Sequence, residues 1–135
     1  RGAILRLEKY PLSRGPRDKF FIVLNVDCSA SLVYHALTTS RVERYQAMSF
    51  ASDGVLVPAQ TVDCLTEPTI VDCHTLEAPL SRETLFTGYC ARSLKVFPPL
   101  PSPFMARIDG ILRDNRLLAP VVKAAILPPT GTPRP

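Results

Sequence analysis

The 135-residue sequence has no tryptophan, and aromatic residues make up only 7% of it. Stacking on a planar ligand would therefore fall to Tyr10, Tyr34, Tyr45 and Phe50, which could equally be ordinary core or surface aromatics. No apolar run approaches the ~20 residues that a membrane span requires, and no charged-then-apolar leader opens the chain. A soluble, cytoplasmic protein with no membrane partner is the expectation. C-x-x-C pairs are also missing, and Cys28, Cys64, Cys73 and Cys90 are spaced unlike any common zinc module. That excludes the usual structural zinc sites and favours free thiols in a reducing compartment, with no metal and no cofactor. There is no internal repeat.

Proline and basic residues are present in quantity, both unevenly placed. Most of the 14 prolines lie beyond position 97, so the front of the chain is not proline-rich. Residues 1–20 carry six Lys/Arg against two acids, whereas residues 53–90 carry six acids against Arg82 alone. Residues 91–135 return to seven Lys/Arg against Asp109 and Asp114. Basic ends around an acidic middle suggest one face that attracts phosphate and another that does not. Solvated charge on a mixed surface is the alternative.

At this length a single domain is expected, and its front half reads as short strands. Ala3–Leu7 alternates before the turn-rich stretch 10–18, with Pro11, Gly15 and Pro16. Phe20–Leu24 is a continuous apolar run of the kind a central strand shows. Leu32–Leu37, Val55–Val57 and Thr69–Cys73 follow as further strands, the last with a continuation over Thr75–Pro79. Short strands between turn signals predict a small barrel or sandwich. The stretch PLSRETLFTGYCARSL predicts a helix capped by Ser81, with Leu80, Leu85 and Leu94 as its apolar markers. FPPLPSP is a stiff connector. A helix then starts with Ser102 as cap and Pro103 in the first turn, carrying Phe104, Ile108, Ile111 and Leu112 on one stripe. The Asp114-Asn115 pair stops it, and Leu118, Val121, Val122 and Ala125 form a second stripe.

The strand ending YHALTTSR raises the question of function, because it closes on three hydroxyls and an arginine. Thr38, Thr39 and Arg41 form an anion site if they face Lys19 across a barrel mouth. Otherwise the hydroxyls bond local backbone in a turn. Counting outward from a turn near Ser29 sets Lys19 and Thr38 almost opposite each other on antiparallel neighbours. His35 reads as a packed or surface histidine, with acid–base work as the alternative. His74 shares a strand face with Asp72 and could pair with it.

The glycine-led RGAILRL, the proline/basic loop after it, the KFFIVL strand and the ending ALTTS together resemble the MazF/PemK-like toxins of bacterial toxin–antitoxin systems. TIVDCHTLEAPLSRETL is similar to that family's later strand and closing helix. The similarity covers roughly residues 2–95 and is one of pattern. It implies a mainly β fold with a C-terminal helix. An SH3-like small antiparallel barrel would span 1–95, followed by a Pro-rich connector over 96–103. The apolar stripes and the closing PPTGTPRP add, from the residues themselves, a helical segment over 104–127 and a disordered tail over 128–135. The resemblance also implies a homodimer, a cognate antitoxin protein and single-stranded RNA as partners. The implied activity is that of a metal-independent endoribonuclease, in which the substrate's own 2′-hydroxyl attacks the adjacent phosphate. Such a reaction needs a group to take a proton, a group to give one and fixed donors for the phosphorane charge. Thr38 matches the family's threonine or serine, and Lys19 stands where the family has arginine; these are the catalytic candidates. Arg17, Thr39 and Arg41 are the RNA-binding candidates. Two departures are Lys19 itself, a point charge in place of a planar fork, and Ala3 at a position usually acidic. A non-catalytic SH3-like module binding nucleic acid or a protein is the competing function, and a structural protein of a phage or mobile element is a third.

Overall fold

The run Phe20–Leu24 takes the middle of a sheet because both of its faces find cover. A computed structural model describes residues 1–129, so most of the tail expected over 128–135 lies outside the described residues. The chain forms β1 (Ile4–Tyr10), β2 (Arg17–Val23), β3 (Leu32–Val33), β4 (His35–Thr39), α1 (Val42–Gln46) and a 3-10 turn (Ala51–Asp53). Then come β5 (Gly54–Val57), β6 (Thr69–Asp72), β7 (Leu80–Ser81), α2 (Arg82–Cys90), β8 (Leu94–Phe97), α3 (Ser102–Asp114) and α4 (Pro120–Ile126). Six strands make one antiparallel sheet in the order β5-β6-β4-β2-β1-β8, while β3 and β7 pair apart from it. The edges β5 and β8 are not paired with each other among the described residues, so hydrogen bonding does not close this sheet into a barrel.

Strand alternation sends neighbouring rows to opposite faces. One row is Ile4–Ile22–Ala36, and it packs with Leu24, Val55, Val71, Ile108, Leu112 and Ile126. The next row, Leu5–Phe21–Leu37, packs with Leu7, Tyr10, Leu85 and Leu94 on the other side. Fully burying a side chain such as Ile108 or Leu112 is worth roughly 1.5–3 kcal/mol, which fixes α3 to the sheet. Arg1 reinforces the join: it pairs with Asp109 of α3 and donates to the carbonyls of Leu24 and Ile126.

Several local expectations shift. Ser81 caps α2 as expected, accepting from the Thr84 N–H at 3.0 Å. Ser102 does not cap α3; Pro101 holds that position, with Ser102 and Pro103 in the first turn. The strand expected over Leu32–Leu37 breaks at Tyr34, whose N–H donates to the Asn25 side chain at 2.6 Å. Leu94 belongs to β8, which runs to Phe97, inside the expected connector, and β6 stops at Asp72 without a continuation over Thr75–Pro79. The apolar stripes of α3 and α4 pack on the first core, so those faces cover the chain's own sheet. Leu117 and Val121 are left outside, 66% and 74% exposed.

Gly54 opens β5 in a space that admits nothing larger. An added Cβ would meet the Tyr45 ring at 2.5 Å and the Ile70 side chain at 2.7 Å. Gly54→Ala is therefore expected to destabilise the fold by about 1–3 kcal/mol, read as a lower urea midpoint at unchanged m-value. An unaltered midpoint would show that Tyr45 is not seated against β5 and β6.

Candidate functional site

Strand register decides what the end of β4 can do. The pairs Phe21–Leu37, Ile22–Ala36 and Val23–His35, continued outward, set Lys19 against Thr39 and Phe20 against Thr38. Lys19 and Thr38 are thus one residue out of step, and their side chains leave opposite faces. The Lys19 ammonium still reaches back, donating to the Thr38 carbonyl at 3.2 Å. The Thr38 hydroxyl, in a residue only 7% exposed, donates to the Phe20 carbonyl at 3.0 Å. Its proton is committed, and only its lone pairs remain on offer. The Thr39 hydroxyl accepts from the Arg41 N–H at 3.2 Å, a turn bond that directs the chain into α1.

Around this corner lies a cleft of about 370 Å³. Five cations line it: Arg14 from the β1–β2 turn, Arg17 and Lys19 from β2, Arg41 from the start of α1 and Arg44 within it. Its floor is Leu37, Thr38 and Thr39, and one wall is Tyr45, Met48 and Phe50. Asp72 is the lone carboxylate among the lining residues. Arg17, Lys19, Thr38, Thr39 and Arg41, with Tyr45 and Phe50 among the stacking candidates, were legible in the sequence; Arg14, Arg44 and Met48 were not. A signal was present in RVERYQAMSF, where two arginines are followed by two aromatics. A five-residue α1 is too short to show a periodic pattern.

None of the five cations is ion-paired among the described residues. Burial holds the Lys19 ammonium below its ordinary pKa of 10.5, and the like charges of Arg17 and Arg41 lower it further. Asp18 and Glu67 border a separate hollow on the other side of Lys19 without pairing to it. Asp72 is engaged as well: one oxygen accepts from the Tyr45 hydroxyl at 2.8 Å and the His74 N–H at 2.9 Å. Burial, and then that bond, raise the Tyr45 phenol above its ordinary pKa of 10.

The two histidines have different surroundings. His35 is fully buried, shares a 2.7 Å hydrogen bond with the Tyr10 hydroxyl and bonds the Val33 carbonyl at 3.2 Å. His74 does not pair with the Asp72 carboxylate as a side chain. Its Nδ1 meets the Asp53 carboxylate at 2.7 Å, and its ring lies flat on Phe50, centroids 4.4 Å apart. Of the four aromatics proposed for stacking, Tyr45 and Phe50 line the cleft, whereas Tyr10 and Tyr34 pack into the cores. Cys73 is buried, Cys64 half-buried, and Cys28 and Cys90 are exposed.

No protein-family model and no curated protein matches the chain. The site's chemistry accordingly rests on its own residues. No helix among the described residues is long and apolar enough to cross a membrane.

Burial lowers the His35 pKa from its ordinary 6.5, and the bond to Val33 opposes this in part. The unfolded chain then binds more protons than the folded one below that value, so stability falls as pH drops through about 6.5 toward the folded pKa. A lower urea midpoint at about pH 5 than at pH 7 is expected, with a smaller step in His35→Gln. An equal step in both proteins would assign the acid sensitivity to other groups.

Proposed function

We propose that this chain is a toxin-like, RNA-targeting protein whose cationic cleft grips the phosphates of single-stranded RNA. The observation that carries this is the convergence of Arg14, Arg17, Lys19, Arg41 and Arg44 without a carboxylate partner among the described residues. Folding gathers like charges and partly desolvates one of them, which costs free energy that a bound polyanion offsets. Arginines supply forked donors to phosphate oxygens, and Lys19 adds a point charge steered by the Thr38 carbonyl. Tyr45 is buried behind the cleft wall, which leaves the half-buried Phe50 as the ring near which an unpaired base can stack, a contact open to single strands. The six-stranded sheet is, on this proposal, the counterpart of the SH3-like barrel of MazF/PemK-like toxins. A homodimer, a cytoplasmic setting and an acidic antitoxin segment competing for the same cations belong to the same proposal. The committed Thr38 hydroxyl favours the second possibility, an SH3-like binding module in which this residue does no proton transfer.

Binding of a short single-stranded RNA, followed by fluorescence anisotropy, tests the proposal. Each neutralised phosphate contributes about −0.7 to the slope of log K against log salt. Arg17→Ala, Lys19→Ala and Arg41→Ala should each weaken binding and flatten that slope, while Arg107→Ala on α3 leaves both unchanged. Salt-independent binding, or loss of binding in Arg107→Ala alone, would place the RNA elsewhere.

A further inference from the structure

His74 is held more firmly than a surface histidine needs to be. The Asn115 amide donates to the carbonyls of Cys73 and His74 at 2.8 and 2.9 Å. The Cys73 N–H donates to the Asp53 carbonyl at 3.0 Å, and the Asp72 carboxylate takes the His74 N–H. These contacts fix the backbone, while Phe50 and Asp53 fix the ring. The Asp53 carboxylate can only accept, so the proton of a neutral imidazole sits on Nδ1 and the lone pair on Nε2. Nε2 has no hydrogen-bond partner among the described residues, and the side chain is 31% exposed. The chain has two histidines, and His35 is sealed in the core, so His74 alone presents an imidazole to solvent. It does so beside the cleft, because Phe50 and Asp72, its ring and backbone partners, are both lining residues.

We propose that His74 is the general base of a metal-independent RNA cleavage at the edge of the cationic cleft, with Asp53 as its positioning residue. This rests on the cleft binding RNA. The Nε2 lone pair takes the proton of a ribose 2′-hydroxyl, and the freed O2′ bonds to the adjacent phosphorus. The P–O5′ bond breaks, and O5′ takes a proton from water. The hydroxide so formed recovers the proton from the imidazolium, which restores His74. The products are a 2′,3′-cyclic phosphate and a 5′-hydroxyl. The cleft's cations stabilise the doubly charged phosphorane, as fixed donors do for developing charge. The base is thus placed on the β6–α3 side of the site, away from Thr38, whose hydroxyl proton is already engaged.

The test compares binding and cleavage of one single-stranded RNA by the full chain in the presence of EDTA. A positioned base contributes about 10²–10⁴-fold, so His74→Gln should lose at least about 100-fold in cleavage rate while its affinity stays near wild type. Asp53→Asn should lose less, again with affinity retained. Added imidazole should restore part of the rate in His74→Ala, which loss of a merely structural ring would not permit. Wild-type cleavage rates in His74→Gln would overturn the assignment. RNA bound by the wild type with no cyclic-phosphate product would also overturn it while leaving the cleft as a binding site. A wild type that binds no RNA would remove both.

Discussion

The antiparallel register between β2 and β4 is the constraint on which the other features depend. The Phe21–Leu37 and Ile22–Ala36 pairs feed two cores on opposite faces, and the apolar payload on both sides holds that register. A slip of one residue would send every one of these side chains to the wrong face. The same register, continued beyond the apolar rows, brings Lys19 beside the end of β4. There the chain turns through the Thr39–Arg41 bond into α1, and Arg17, Lys19, Arg41 and Arg44 arrive in one place. A charged cleft is thereby built on hydrophobic pairing several residues away.

Holding those charges together works against stability, and the structure shows how the conflict is contained. Lys19 is desolvated by burial and repelled by Arg17 and Arg41, yet its ammonium keeps one carbonyl partner at Thr38. Asp72, the carboxylate that could neutralise the cleft, is turned instead toward Tyr45 and the His74 backbone. On the proposed function an anion from solution offsets this local charge excess, since mixing signs would otherwise lower the repulsion. Among the acidic residues of 53–90, Asp53 is engaged with the His74 ring. The Phe50 ring, which lines the cleft, also carries the stacked His74 ring.

What the sequence disclosed was what local chemistry controls. The Phe20–Leu24 run marked a strand, Ser81 a helix start, and Asp114-Asn115 a helix end, because each signal acts within a turn or two of itself. Features set by distant partners were illegible. β8 exists because Leu94–Phe97 pairs with Ile4–Leu7, far back in the chain, and Leu94 fits a helical spacing just as well. The Lys19–Thr38 neighbourhood was legible, but its chemistry was not: which hydroxyl stays free depends on whether Phe20 or Lys19 lies across the ladder. His74 drew attention to Asp72 through spacing, whereas its ring partner, Asp53, sits across the β5–β6 hairpin. Arg14 and Arg44 were legible as charges and not as members of a site, since nothing local brings a loop and a short helix together.

On the proposed function, folding assembles a like-charged cleft whose balance is completed by an anion. The most direct measurement is the titration of the Lys19 ammonium by NMR, with the protein free and then saturated with a short single-stranded RNA. In the free protein its pKa lies below the ordinary 10.5, and phosphate bound between Arg17, Lys19 and Arg41 raises it. A Lys19 pKa that is unchanged by saturating RNA would contradict the account.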